Sequence, residues 1–272
     1  MGLWKLKWAI STAIKPTNYK SIKREFSHVW KFYAGLVLKF KRSWYQADWI
    51  LKHRSGQKFF IQEFMDLFKV QEIYAERCYD IELENYKNPT ILDIGANKGF
   101  FTMRMKFLYP KARIVCAEPV ADNLQELYKH LKLNNIDAEV CAYAVGFPER
   151  VEKIFLDPEN SGAHSFFRVQ KHLPFNWVQV ISLERLFEQH HLNHCDLLKL
   201  DCEGSELEII ESLSPEMAAK IDNILFESTA NDFFSPQLVV EKLEKLGFKV
   251  QPKGNLFWAE RERVAQMSAK SA

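Results

Sequence analysis

TILDIGANKGFFT, residues 90–102, decides the fold. Residues 91–94 are a short apolar run. Gly95 and Gly99 follow, and residues 100–108 carry a helical pattern that Pro110 ends. Strand, glycine turn and helix make the first half of a parallel βαβ unit. The same signals recur downstream. Residues 112–117 read as a strand ending at Glu118-Pro119, and 122–133 as a helix with Asp122 and Gln125 in capping-box spacing. Residues 139–145, 196–200 and 223–226 read as strands, with helices at 182–190, 206–213 and 236–246. Residues 151–156 read as an antiparallel strand and 157–177 as an irregular loop. Residues 248–251 and 256–260 read as a hairpin over Lys253-Gly254-Asn255. Buried strands alternating with amphipathic helices predict an α/β fold, a doubly wound and mostly parallel sheet covered on both faces.

Upstream of the Asn88-Pro89 breaker the period changes. Between residues 22 and 53, Phe26, Trp30, Tyr33, Val37 and Phe40 recur at helical spacing, and 59–79 is a second helical stretch. The charge changes too. Residues 1–58 hold 13 Lys or Arg against Glu25 and Asp48, a net +11 inside a chain whose total is +2. Five of the seven Trp (Trp4, Trp8, Trp30, Trp44 and Trp49) lie there. The expected organisation is a basic, aromatic-rich helical extension (1–58), a helical lead-in (59–88), a catalytic domain (89–262) and a tail (263–272). With 47% hydrophobic and 26% charged residues the chain can bury a core, which excludes a disordered protein.

The five cysteines, Cys78, Cys116, Cys141, Cys195 and Cys202, are odd in number and form no CxxC pair. They read as reduced thiols of a cytoplasmic protein. No apolar stretch reaches 18 residues, so no spanning helix is expected. The opening MGLWKLKWAISTAIKP is cut by Lys5 and Lys7 and lacks a signal h-region, and Leu6 stands where a myristoylation motif needs Ser or Thr.

In open α/β sheets ligands sit beyond the carboxyl ends of the strands. Gly95 and Gly99 permit a tight turn and close approach of backbone to a ligand. Glu118, 25 residues after Asp93 at the end of the next strand, can accept two hydrogen bonds from a ribose diol. The loop lacks the middle glycine of GxGxxG, which argues against a pyrophosphate. Asp93 suits a cationic ligand instead, such as the ammonium end of S-adenosylmethionine.

ILDIGANKGFFT, then AEP, AVG and DLLKLDCEGSELEII together resemble the FkbM-type branch of the class I S-adenosylmethionine-dependent methyltransferases. The resemblance covers about residues 90–229, and Asn97 matches the GAN form of that branch. It implies a Rossmann-like seven-stranded sheet with one antiparallel strand near its edge. It also implies methyl transfer, usually to oxygen, on sugars, polyketides and other small hydroxylated metabolites. Carried over, Asp93, Gly95, Asn97, Gly99 and Glu118 would bind the cofactor, with Thr102 and Asn123 as second contacts. Tyr143 and Ala144 would face the adenine. Ala142 stands where many relatives have a polar residue, which leaves the adenine contacts open.

Methyl transfer to an alcohol needs alignment and a group to take a proton. Lys199 and Asp201, two apart on one strand, share a face. They are catalytic candidates, or an internal ion pair that shapes the floor of the site. Glu203, Glu227 and His164 complete the candidates. A loop histidine is otherwise a solvated one, and Glu206 reads as a solvated first-turn residue. Phe166, Phe167, His172 and Trp177 would line a substrate pocket or pack the loop down. His190, His191, His194 and Cys195 resemble a metal cluster, but they precede the strand that ends in Asp201. That places them at the far side of the sheet, so no metal is expected. Asp201 with Glu227 lacks a third partner for Mg²⁺.

The leading expectation is an O-methyltransferase acting on a small hydroxylated substrate or glycan. A nucleic-acid methyltransferase is disfavoured, because DCEG stands where an NPPY-type tetrapeptide belongs. A non-catalytic adapter that retains the fold is the reading from another class. The basic aromatic segment suits peripheral contact with an anionic membrane, or a cap whose aromatics pack on the body.

Overall fold

The computed structural model describes residues 16–39, 47, 49–83, 87–157, 160–166, 173–227, 236–254 and 256–262. Helices α1 (Pro16–Glu25) and α2 (Val29–Leu38) precede an antiparallel hairpin of β1 (Trp49–Lys52) and β2 (Lys58–Ile61). Helix α3 (Phe64–Val70) continues into a π-helical turn, Gln71–Glu76. Then follow β3 (Thr90–Ile94), α4 (Phe100–Leu108), β4 (Arg113–Ala117), α5 (Ala121–Leu133), β5 (Glu139–Cys141) and β6 (Ala144–Val145). After β7 (Arg150–Phe155) and β8 (Phe175–Ile181) come α6 (Leu183–Gln189), β9 (Leu197–Leu200), α7 (Glu206–Ser212) and α8 (Pro215–Ala218). The last elements are β10 (Asn223–Glu227), α9 (Pro236–Lys245), β11 (Phe248–Lys253) and β12 (Leu256–Arg261).

Seven strands form the main sheet in the order β5-β4-β3-β9-β10-β12-β11. All are parallel except β12, which runs against both its neighbours one place in from the edge. The order reverses between β3 and β9, because β3 leads to β4 on one side and β9 to β10 on the other. A crevice opens there at the carboxyl ends.

Alternation along the strands separates two cores. Ile91 and Ile114 face α4, α5 and the N-terminal elements. Leu92, Ile94, Val115, Leu198 and Leu200 face Leu186, Ile209, Ile210 and Val239 on the other side. The N-terminal elements therefore pack on the sheet's own core, with Ile22, Phe26, Phe32, Leu51 and Phe59 at 0% exposure. Each such side chain contributes roughly 1.5–3 kcal/mol by burial. Arg104 on α4 is buried beside them, ion-paired with Asp80 and stacked 5.4 Å from the rings of Tyr74 and Phe107.

Several sequence expectations are corrected. The helical pattern of residues 22–53 breaks at Phe26, which bridges to His53, and ends in β1 rather than in helix. Residues 59–61 belong to β2, where burial alternates with period two; a short apolar run is ambiguous between strand and helix. Residues 139–145 split into β5 and β6, and β6 leaves the main sheet to pair with β8. The antiparallel β7 pairs with β8, and β8 occupies the end of the stretch read as loop. Helix α5 starts at Ala121 with Val120 as its cap, so the Asp122–Gln125 box is not its start. Phe167 and His172 lie outside the described residues.

Candidate functional site

Two adjoining cavities open at the carboxyl ends of β3 and β9. The first, a cleft, is lined among others by Gly95, Asn97, Glu118, Asn123, Tyr143, Ala144 and His164. The second, of about 220 Å³, is lined by Phe68, Glu72, Tyr79, Phe101, Lys199 and Glu227 among others. Lys69, Gly95, Asn97, Asp201 and Glu203 line both.

The cleft is organised around Glu118, just past β4. Its carboxylate accepts from the backbone N–H of Asn97 (2.8 Å) and of Val120 (2.9 Å), and from Asn123 Nδ2 (3.2 Å). Burial pushes its pKa up against these three donors. Asn97 sits in the left-handed region at φ 49°, which turns its N–H toward Glu118. Its Nδ2 donates to the Ser161 carbonyl at 2.9 Å, while its Oδ1 is buried with no partner among the described residues. Asn123 Nδ2 also reaches that carbonyl, at 3.2 Å. Ser161 thus closes the cleft, and its backbone and hydroxyl donate to Glu63. Glu63 in turn accepts from the buried Lys98 (2.9 Å), which also pairs with Asp66 at 2.6 Å.

The glycines serve the protein more than a ligand. Both have positive φ, 75° at Gly95 and 84° at Gly99. A Cβ on Gly95 would collide with the Asp201 carbonyl oxygen, and one on Gly99 with the Leu127 side chain. Gly95 lets the two loops of the switch point press together; Gly99 lets α4 and α5 pack. Gly99 lines neither cavity. Asp93 and Thr102 also lie beneath the cleft rather than on it. Asp93 has 0% exposure, and its two oxygens accept from Lys199 Nζ (3.0 Å) and Thr102 Oγ1 (2.6 Å).

Lys199 is a structural cation. Its Nζ donates to Asp93 and to the Gly95 carbonyl at 2.8 Å, and lies 3.4 Å from Asp201 Oδ2. Burial alone would lower its pKa, but the Asp93 and Asp201 carboxylates raise it. It stays charged at neutral pH and has no lone pair with which to take a proton. Of the two sequence readings, the internal ion pair describes it.

Asp201 follows β9 and Glu227 ends β10; both line the second cavity, and each carboxyl shifts the pKa of the other. Tyr79 donates to Asp201 Oδ2 at 3.2 Å. Burial would raise the Asp201 pKa, but Lys199, Lys69, Tyr79 and Glu227 hold it below the ordinary carboxylate value. Glu227 goes the other way: burial, then the charges of Asp201, Glu203 and Glu72, push it up to about 8. Of the two carboxyls, Glu227 is thus the one that holds a proton more readily. Glu203 sits exposed at the lip in the left-handed region, at φ 55°. Buried Glu206 is not the solvated residue expected: it accepts from the backbone N–H of Cys202 (2.6 Å) and Gly204 (2.8 Å) and so shapes the loop.

His164 lines the cleft and not the second cavity. Its Nδ1 accepts from the Asp157 N–H at 2.9 Å, and burial lowers its pKa, so it is neutral near pH 7. The histidine cluster lies at the amino ends of the strands. His190 pairs with Glu139 (2.7 Å), Cys195 is buried, and His194 lies 3.5 Å from Asp196 and 3.3 Å from Asp222. Sequence reasoning missed Lys69, Glu72, Tyr79 and Ser161. The only signal was the spacing of Lys69 and Glu72, three apart on a helical stretch.

Residues 93–250, more than half of the chain, match the family model for the methyltransferase FkbM domain. The chain belongs to the FkbM methyltransferases. Similar proteins include Methyltransferase sdnD of Sordaria araneosa, 29% identical over 214 residues, spanning 67% of this chain and 82% of that protein. Methyltransferase 1 of Beauveria bassiana (strain ARSEF 2860) is 26% identical over 203 residues, spanning 66% and 80%. The solved FkbM methyltransferase of Methylobacillus flagellatus KT aligns with a TM-score of 0.46 and 12% identity, over 89% of this chain and 60% of that one. In this FkbM methyltransferase the matched stretch holds Glu118, Asp201 and Glu227. Met65, Phe68, Lys69, Glu72, Ile73 and Tyr79, which wall the second cavity, precede it.

Proposed function

We propose that this protein is an S-adenosylmethionine-dependent O-methyltransferase whose acceptor is a hydroxyl of a small metabolite or glycan. The observation that carries this reading is the junction of the two cavities at Asp201, with the Asp201 and Glu227 carboxyls lining the second. The cleft fits the donor. Glu118 offers a carboxylate for a ribose diol, and the buried, unpartnered Asn97 Oδ1 awaits a hydrogen-bond donor. Tyr143, Ala144 and Val145 offer an apolar slot for a base.

The donor supplies a methyl on a sulfonium, already a good leaving group. The protein's part is alignment and proton acceptance. Asp201, fixed by Lys199 and Tyr79, accepts a hydrogen bond from the acceptor hydroxyl. With the donor bound, the Asp201–Glu227 pair would take the hydroxyl proton as the acceptor oxygen receives the methyl and the thioether leaves. Phe68, Phe100 and Phe101 wall the cavity and limit water. Among the described residues no helix is long and apolar enough to cross a membrane.

The test is calorimetry with S-adenosylhomocysteine, followed by labelled methyl transfer into a metabolite extract. Binding in the low micromolar range and a labelled product with an alkali-stable ether are expected. Absence of binding would overturn the donor assignment, and label recovered on nitrogen would overturn the O-directed reading.

A further inference from the structure

Among the described residues three serines precede helices in the catalytic body, and one of them behaves differently. Ser182 and Ser214 have extended backbones (ψ 160° and 157°) and accept from the N–H of Arg185 and Met217, the usual role of a serine at that position. Ser205, before α7, has helical angles (φ −85°, ψ −3°) and makes no cap bond. Glu208, three residues on, does not close a capping box with it, because that carboxylate is engaged by Arg150 and the Phe147 N–H. The loop before Ser205 is held instead by Glu206.

The hydroxyl released from capping has no other partner. Ser205 is 1% exposed, and its Oγ is buried without a hydrogen bond among the described residues. A buried hydroxyl without a partner is a cost that folded chains seldom carry. Ser205 lines the cleft but not the second cavity, and it shares the cleft with the apolar Tyr143, Ala144, Val145, Ile154 and Phe166.

The orientation of the donor follows from the cavities. Its methyl must lie where they meet, at Gly95, Asn97 and Asp201. Its ribose lies at Glu118. The base therefore takes the remaining end, against Tyr143 and Ala144, where a purine edge needs a hydrogen-bond partner within apolar walls. Ala142, which left the base contacts open in the sequence, is exposed and lines neither cavity.

We propose that the Ser205 hydroxyl hydrogen-bonds the purine edge of the nucleoside donor. This rests on the S-adenosylmethionine reading above. The experiment is calorimetry of wild type and Ser205→Ala with S-adenosylhomocysteine and with methylthioadenosine, which keeps the nucleoside and lacks the amino-acid end. Thermal unfolding of the ligand-free proteins accompanies it. Expected is a loss of about five- to tenfold in affinity for both ligands, the worth of one hydrogen bond. The ligand-free melting temperature should be unchanged or raised, since an unpartnered hydroxyl has been removed. Unchanged affinities would overturn the proposal and leave the hydroxyl to an ordered water. A loss confined to S-adenosylhomocysteine would overturn it by moving Ser205 to the amino-acid end, and a lowered ligand-free melting temperature would overturn it in favour of a structural role. If wild type binds neither ligand, the donor reading itself fails, a result distinct from any of these.

Discussion

The cleft takes Glu118, Asn123, Tyr143 and Ala144 from the stretch that matches the family. The second cavity takes Met65, Phe68, Lys69, Glu72, Ile73 and Tyr79 from the chain before it. The two differ in how they are held as well. Cleft residues hang on backbone: Glu118 is fixed by two main-chain N–H groups, and Asn97 by its left-handed turn. The second cavity is held by side-chain charge, with Asp201 and Glu227 facing Glu72, Lys69 and Lys199. Backbone-built sites tolerate little variation in sequence, whereas side-chain walls can be exchanged without disturbing the fold. The two cavities thus draw on different parts of the chain, with Lys69, Gly95, Asn97, Asp201 and Glu203 common to both.

Five variants follow, from the largest effect to the smallest; the first four probe that separation. Glu118→Ala should weaken S-adenosylhomocysteine binding about 100-fold or more, since it removes a charged acceptor for two hydroxyls. A loss below threefold by calorimetry would break the assignment of the cleft. Asp201→Asn should lower kcat by about 10²–10³-fold, the range for loss of a proton acceptor, with cofactor affinity within about threefold by the same scale. Equal losses in both would mean that the two cavities are not separable.

The carboxyl pair gives a pH signature. Glu227 is protonated below about pH 8 and ionised above it, so kcat should rise through that region as the pair gains capacity for a proton, and Glu227→Gln should remove the inflection. The sign for stability is opposite. Because the folded value lies above the ordinary 4.5, the stability that Glu227 contributes is complete below that value and is lost as pH rises through about 8. Wild type should therefore melt progressively earlier between about pH 5 and 8, and Glu227→Gln should not; parallel curves would count against the raised value.

Glu72→Gln should raise the acceptor KM about three- to tenfold while leaving S-adenosylhomocysteine affinity unchanged. A shift in cofactor affinity instead would place Glu72 on the wrong side of the comparison. The smallest effect concerns the outer face of α2, where Trp30 is 61% and Val37 46% exposed on one side of the helix, with Lys31 5.8 Å from the Trp30 ring. We propose that this face contacts anionic membrane. Trp30→Ala with Val37→Ser should then lower sedimentation with phosphatidylserine vesicles about twofold to fivefold, and unchanged sedimentation would leave the segment as a cap alone. Point substitutions are needed because Ile22, Phe26, Phe32 and Phe59 belong to the core, so deleting the segment would open it.

Much of the fold was legible. The mostly parallel seven-stranded sheet, the antiparallel strand near its edge and the hairpin at the end follow from alternating apolar runs and from resemblance to a known family. The frame of the cleft was legible through Gly95, Asn97 and Glu118, because a turn with positive φ and a carboxylate at a strand end leave marks at fixed spacing. The acceptor side was not. Tyr79 and Asp201 are 122 positions apart, yet 3.2 Å in space, and no periodicity relates them. The role of Lys199 was open for the same reason: whether a buried lysine is a base or a tether depends on the carboxylates around it.

The sequence by itself determined where the polypeptide turns and which strand ends carry acids, since glycine, proline and apolar period act over a few residues. Only the tertiary structure decided which of those acids meet in one cavity, and which serine before a helix is left without a bond. It also decided that Ile22, Phe26, Phe32, Leu51 and Phe59 join the core of the sheet. These outcomes depend on burial and on neighbours brought together from far apart in the chain, and burial sets both the cost of an unpaired hydroxyl and the pKa of a carboxyl.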